Sequence, residues 1–384
     1  MTTVEKNQIG DDASPGKVAI VQISDSQVEP RGGTDSYVKG LANALEKRGI
    51  DVWRVDVALS QPRQMEHEII IANRWISNYW ALLFLCRAAL RMRKEKDWIV
   101  HVQRPDQLVP FLLVVDRKRL YVTTVTGPNR TAMTMMRPKL IAALYSLIEM
   151  IGFRIAGAVI FVDKKTSDFY VGLYPWLGGK SYIIPTGIGS EFFQDRLAER
   201  EAKKQFGFGE DERVICFIGR LGSEKNVDLI LRSFARIHKE SRDLRLAIAG
   251  DGDQREYLER LSKDLGIEGQ VTFLGRSPHS KIRDLLSASE ILVLASKWEG
   301  SPTVAREALA SRTRIVAANV GDVGELIRDA SLGLIIPETT EQALAEGILS
   351  VLQMERQQVI QPFVREFCWD KVADKIVAIY KGAQ

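Results

Sequence analysis

Two cations and two carboxylates in the second half of the chain stand at spacings that could hold a diphosphate and two sets of vicinal hydroxyls. Arg220 and Lys225 lie five residues apart in VICFIGRLGSEKNVDLIL, between an apolar run ending at Gly219 and an amphipathic stretch opening near Val227. A loop from a strand's carboxyl end to a helix N-terminus brings such cations to a point where backbone N–H groups already attract anions. Glu299 and Glu307 flank seven residues in KWEGSPTVAREALA, the first before a helical stretch and the second one to two turns into it. Carboxylates accept hydrogen bonds from paired hydroxyls, so two placed this way could hold two sugar rings. Gly300, Ser301, Pro302 and Thr303 would let backbone approach the same ligand and start the helix. Taken pair by pair, all four charges read equally well as solvated surface.

In the first half, EPRGGTDSYVKGLANALEKRG sets Gly32 and Gly33 at the mouth of a helix. Glycine there either lets the main chain lie against a phosphate or sugar or makes a tight turn.

The elements that must position these groups follow from short apolar runs. VAIVQI (18–23), IVHV (99–102), YVTTV (121–125), AVIFV (158–162) and YIIP (182–185) alternate with helix-length segments, as do VICFI (214–218), LRLAIA (244–249), VTFL (271–274), EILVLA (290–295), RIVAA (314–318) and LGLII (332–336). Runs of this kind suit strands buried on both faces. Two successive alternations predict an α/β chain with two doubly wound, Rossmann-like domains facing a cleft, ligands lying beyond the strands' carboxyl ends. The boundary falls within 186–212. The expected division is a flexible tail at 1–16, an N-terminal domain at 17–190, a C-terminal domain at 191–365 and a last helix at 366–384.

With 384 residues, 45% hydrophobic and 27% charged, the chain is large enough for two cores. A net charge of +4 is too mild to point to nucleic acid. Cys86, Cys216 and Cys368 are far apart and form no metal or disulfide pattern. The N-terminus lacks a signal-peptide core and no run is long enough to span a membrane, so a cytoplasmic location is expected.

Together, FIGRLGSEKNVDLIL, LAIAGDGDQREYLERL, VTFLGRSP, EILVLASKWEGSPTVAREALA and FCWDKVADKIVAIY resemble the retaining GT-B glycosyltransferases with the E-x7-E signature, a family 4-like group common in bacterial glycan synthesis. The resemblance runs over nearly the whole chain. It implies transfer of a sugar from a nucleotide-diphosphate sugar to a hydroxyl of a glycan or lipid-linked acceptor. Arg220 and Lys225 would then bind the diphosphate, Glu299 the transferred sugar and Glu307 the ribose. Gly300 to Thr303 would line sugar and phosphate, backbone near Arg276 and Ser277 would meet the base, and Gly32 and Gly33 would reach the phosphate from the other domain. The last helix, after Trp369, would cross back to the N-terminal domain. No metal or other cofactor is expected, although Asp251-Gly252-Asp253 formally matches a D-x-D pattern.

One departure stands out: many relatives end the YVTTV-type strand with a His-Gly pair that touches the donor sugar, whereas this chain has Thr126-Gly127. Either the Thr126 hydroxyl serves instead, or His101 on the neighbouring strand takes the imidazole's place, or His101 is an ordinary buried residue. The departure also leaves room for a catalytically weak nucleotide-sugar-binding protein, or for another GT-B enzyme such as a sugar-nucleotide epimerase. Finally, RWISNYWALLFLCRAALRMRKEK (74–96) joins Trp75, Tyr79 and Trp80 to Arg87, Arg91, Arg93, Lys94 and Lys96. That composition suits either an anionic membrane surface or a helix packed in the domain with a solvated basic end.

Overall fold

The computed structural model describes residues 17–22, 33–56, 68–70, 86, 89–90, 98–114, 119–127, 138–194, 197–354 and 359–382. The tail 1–16, Gly32 and nearly all of 74–96 lie outside the described residues.

The first half forms a seven-stranded sheet of β1 (Lys17–Gln22), β2 (Val52–Asp56), β3 (Glu68–Ile70), β4 (Trp98–Val102), β5 (Tyr121–Val125), β6 (Ala158–Phe161) and β7 (Ser181–Ile183), in the order β3-β2-β1-β4-β5-β6-β7. Every pairing is parallel. The second half forms a six-stranded sheet of β8 (Arg213–Ile218), β9 (Leu244–Ala249), β10 (Val271–Gly275), β11 (Ile291–Leu294), β12 (Arg314–Ala317) and β13 (Gly333–Ile335), in the order β10-β9-β8-β11-β12-β13, again all parallel. Each order reverses direction once, beside β1 in one sheet and beside β8 in the other, and crevices form at such switch points.

Two strands go beyond the sequence expectation. β2 and β3 extend the first sheet past β1, and their short stretches VWRVD and EII lack the unbroken apolar character of β4 and β5, whose residues are all buried. Strands towards a sheet's margin need not be apolar on both faces.

Each sheet is covered on both sides by helices. In the second lobe, Ile230, Leu231, Phe234 and Ile237 of the helix Val227–His238 pack on Phe217, Leu246 and Ile248. In the first lobe, Tyr37, Leu41 and Leu45 of the helix Gly33–Glu46 pack with Val18, Ile20 and Val122, and the same cluster takes Val372, Ile376, Ile379 and Tyr380 from the last helix, Trp369–Gly382. The chain therefore returns from the second lobe to complete the core of the first. Among the described residues, no helix is long and apolar enough to cross a membrane.

Candidate active site

The cleft is built on glycine-ended strands. β8 runs out at Gly219, whose N–H donates to Ala249 O at 2.9 Å, and β9 runs out at Gly250, whose N–H donates to Gly275 O at 2.8 Å. Gly250 has a φ of +148°, and a Cβ there would collide with Gly219 O. Only glycine lets these strand ends lie so close, and they form a floor of main chain. Above it opens a cleft of about 750 Å³ lined by Arg220, Lys225, Arg276, Ser277, Glu299 to Thr303 and Glu307 on one side and by Thr34, Ser36 and Thr126 on the other. Gly33 is the first residue of the helix Gly33–Glu46, which presents Thr34 and Ser36 to the cleft.

Lys225 lies in a single 3-10 turn, Ser223–Lys225, that hands over to the helix Val227–His238 through Asn226 in the left-handed region, φ +56°. Its ammonium pairs with Glu299 Oε1, and the same oxygen accepts the Ser296 hydroxyl at 2.7 Å. Arg220 pairs with Glu224 and comes within 3.9 Å of Asp253 Oδ1. The two cations differ in setting: the Lys225 side chain is 22% exposed and that of Arg220 59%. Lys225 is the better shielded from water, so its field acts more strongly on a bound anion.

Glu307 is buried on the helix Thr303–Ala310, one residue from Arg306. Burial pushes its carboxyl up to about 8, and Glu191 nearby adds to the rise. His279 Nδ1 stands 3.7 Å from Glu307 Oε1. Asp251 and Asp253 of the D-x-D pattern are mostly exposed and stand opposite Arg255 and Arg220 at 4.0 and 3.9 Å.

The two lobes meet beside the Glu299 loop. A Cβ on Gly300 would run into Thr126 O, and one built on Gly127 would lie 3.9 Å from Gly300 Cα. Thr126 thus faces the Glu299 loop directly. Gly300→Ala is expected to strain this contact between the lobes and to cost about 1 to 3 kcal/mol, measurable as a lowered midpoint of urea unfolding.

His101 corrects one of the sequence alternatives. It has no exposed surface and does not line the cleft. Its Nδ1 is 2.6 Å from Tyr380 Oη and its Nε2 2.7 Å from Thr124 Oγ1, which in turn lies 3.1 Å from Tyr37 Oη. Burial lowers its pKa to about 3, so the ring is neutral and donates through only one nitrogen. It cannot stand in for an imidazole in the cleft; it ties the last helix to β5, the strand that leads into Thr126.

Ser296, Glu224, Glu191 and Asp322 are site neighbours that the sequence did not single out. Only Asp322 left a trace: Arg306 sits among Ala305, Ala308 and Leu309 on a buried helix face, and a charge there requires a partner.

Comparison with known proteins agrees with this architecture. The Glycosyltransferase Family 4 model matches residues 31–192, and the Glycosyl transferases group 1 model matches residues 198–361. An uncharacterized glycosyltransferase of Methanocaldococcus jannaschii is 29% identical over 234 residues, 59% of this chain and 60% of that protein. The matches take in about half the length of other curated relatives. Sucrose-phosphate synthase from Thermosynechococcus elongatus superposes with a TM-score of 0.80 at 19% identity, over 95% of this chain and 98% of that one. Anabaena HepE, solved in complex with UDP-glucose, gives 0.71 at 16% identity over 96% and 98%. Two matching family models, one on each lobe, and the shared two-sheet architecture place this chain in the GT-B glycosyltransferase family.

Proposed function

We propose that the chain transfers a sugar from a nucleotide-diphosphate sugar to a hydroxyl acceptor with retention at the anomeric carbon and without a metal. The observation that carries this reading is the convergence of Arg220, Lys225, Glu299 and Glu307 on one cleft whose far wall is Thr126 and the helix opening at Gly33. Lys225 and Arg220 would take the diphosphate, Glu299 the sugar hydroxyls and Glu307 the ribose diol. Gly300, Ser301, Pro302 and Thr303 would enclose sugar and phosphate, and backbone at Arg276 and Ser277 would meet the base. Gly32 and Gly33 would approach the phosphate from the other lobe. In the transfer, the bond from the anomeric carbon to the diphosphate oxygen breaks while the acceptor oxygen adds on the same face. The acceptor proton passes to the departing phosphate oxygen, whose charge the two cations stabilise.

The acceptor class proposed is a glycan or a lipid-linked saccharide in surface polysaccharide or glycolipid synthesis. A cytoplasmic enzyme using the basic and aromatic residues of 74–96 at an anionic membrane would meet such an acceptor. UDP-glucose is the first donor to try, because HepE was solved with it. Nucleotide-sugar hydrolysis without acceptor, followed by release of the nucleoside diphosphate across UDP- and GDP-sugars, tests the reading. Tight binding with no hydrolysis and no transfer to any acceptor extract would instead identify a binding protein, the alternative that Thr126 keeps open. With the imidazole gone, weak discrimination between a hexose donor and its 6-deoxy or pentose counterpart is expected, and a strong preference for the hexose would count against that part.

Glu307 makes donor affinity depend on pH. Diol hydroxyls donate to the ionised carboxylate, so binding favours the deprotonated form of a group that titrates near 8 in the free protein. Affinity should therefore rise from pH 6 to 8, by at most about tenfold per unit, and level off above. Calorimetric titration with UDP-glucose, whose diphosphate has no proton to lose across that range, checks the slope, and Glu307→Gln should flatten it.

A further inference from the structure

We infer that Arg306 and Asp322 are positioning residues for the loop Glu299–Ser301, and that the extra affinity a donor gains from its sugar depends on this pair whereas the affinity for the nucleoside diphosphate does not. The inference rests on the donor reading of that loop.

Asp322 follows β12 at a turn where Gly321 has a φ of +55°, and a Cβ on Gly321 would collide with Gly300 O. The N–H of Asp322 donates to Gly300 O at 3.2 Å, and its Oδ2 accepts the Ser301 hydroxyl at 3.0 Å. One residue thus grips the loop by main chain and side chain at once. The same Oδ2 takes Arg306 Nη2. Arg306 and Asp322 are 1% and 4% exposed, and the guanidinium carbon of Arg306 sits 4.7 Å from the Phe367 ring centre.

Stability alone does not explain such a pair. Two charges taken out of water lose hydration that their mutual attraction repays only when the remaining polar atoms are also satisfied. Arg306 Nε and Nη1 and Asp322 Oδ1 meet no hydrogen-bond partner among the described residues. Apolar side chains of similar volume would fill the space at no greater cost. What they would not supply is an anionic acceptor aimed at Ser301 and a guanidinium that fixes its orientation. The loop so held carries Glu299, whose carboxylate pairs with Lys225, and it presents Gly300 to Thr126 of the other lobe. Its position sets where a sugar would meet both walls.

The test uses the full chain, titrated by calorimetry with UDP and UDP-glucose and with GDP and GDP-mannose. Wild type is compared with the double variant Arg306→Leu/Asp322→Ala, which removes both partners of the pair, while the buried Asp163 nearby keeps its hydrogen bonds from Thr166. Ser301→Ala, which keeps the buried pair, is the second variant. In the double variant the ratio of diphosphate Kd to nucleotide-sugar Kd should fall about tenfold, the scale of one lost hydrogen bond to a charged group, with the diphosphate Kd within about twofold of wild type. Ser301→Ala should weaken nucleotide-sugar binding more than diphosphate binding, lowering the same ratio by less than the double variant does. An unchanged ratio in the folded double variant, or in Ser301→Ala if the double variant does not fold, would overturn the inference. Equal weakening of diphosphate and nucleotide sugar would overturn it too, since that is what a merely structural pair would produce. A wild-type chain that binds none of the four probes would overturn the donor reading and this inference with it, a result visible without any variant.

Discussion

Lys225→Ala is expected to lower single-turnover cleavage of the nucleotide sugar by about 10²- to 10³-fold, the scale set by removing one well-placed donor to a developing oxyanion. Two effects add. The cation facing the departing phosphate is lost, and Glu299 keeps only Ser296 of the two side chains that hold it. Arg220→Ala should cost less, about tenfold, because Arg220 is more than half exposed and already shares its charge with Glu224. Rapid-quench measurement of diphosphate release separates the two. Equal losses would mean that burial does not rank these cations.

The largest expected effect on stability belongs to the start of the last helix. Trp369 opens the last helix with its indole against Gly40 of the helix Gly33–Glu46 and Gly187 of the inter-lobe segment, so closely that a Cβ on either glycine would overlap the ring. Its ring also meets Tyr37 edge-on, with centroids 5.3 Å apart. Trp369→Ala should cost about 3 kcal/mol, at the low end for a large aromatic because the residue is only partly buried. Gly40→Val should undock the helix from the other side by forcing the ring out. Urea unfolding followed by hydrogen exchange checks both, with protection expected to fall first in β1, β4 and β5 while β8 to β12 stay protected. A uniform loss over both lobes would contradict this assignment of the helix to the first core.

Much of this architecture could be read from the sequence, for a physical reason. Parallel strands covered on both faces need unbroken apolar runs, so VICFI and LRLAIA announce β8 and β9 without any knowledge of their neighbours. β2 and β3 lie beyond β1, where VWRVD can carry Arg54 and Asp56, and their signal merges with that of a loop. In the site, Arg220, Lys225, Glu299 and Glu307 could be singled out because each sits at a fixed place after a strand, the first three in the loop and Glu307 in the helix that follows. Asp322 and Glu191 could not, because what matters about them is a contact between separate loops, and no local pattern encodes which loops touch. His101 illustrates the same limit. Its position at the end of β4 allowed a role in the cleft, and only the arrival of Tyr380 from residue positions 279 further along decides that it is buried.

That arrival also sets an order of events during synthesis. Strands β8 to β13 and their helices form a lobe from one continuous stretch of chain, with its hydrophobic clusters drawn mainly from within it. The first lobe is made earlier yet lacks Val372, Ile376, Ile379 and Tyr380 until residues 369–382 have left the ribosome. The lobe that emerges second can therefore finish folding first, while the apolar side of β1, covered until then by the helix Gly33–Glu46 alone, waits for its last helix.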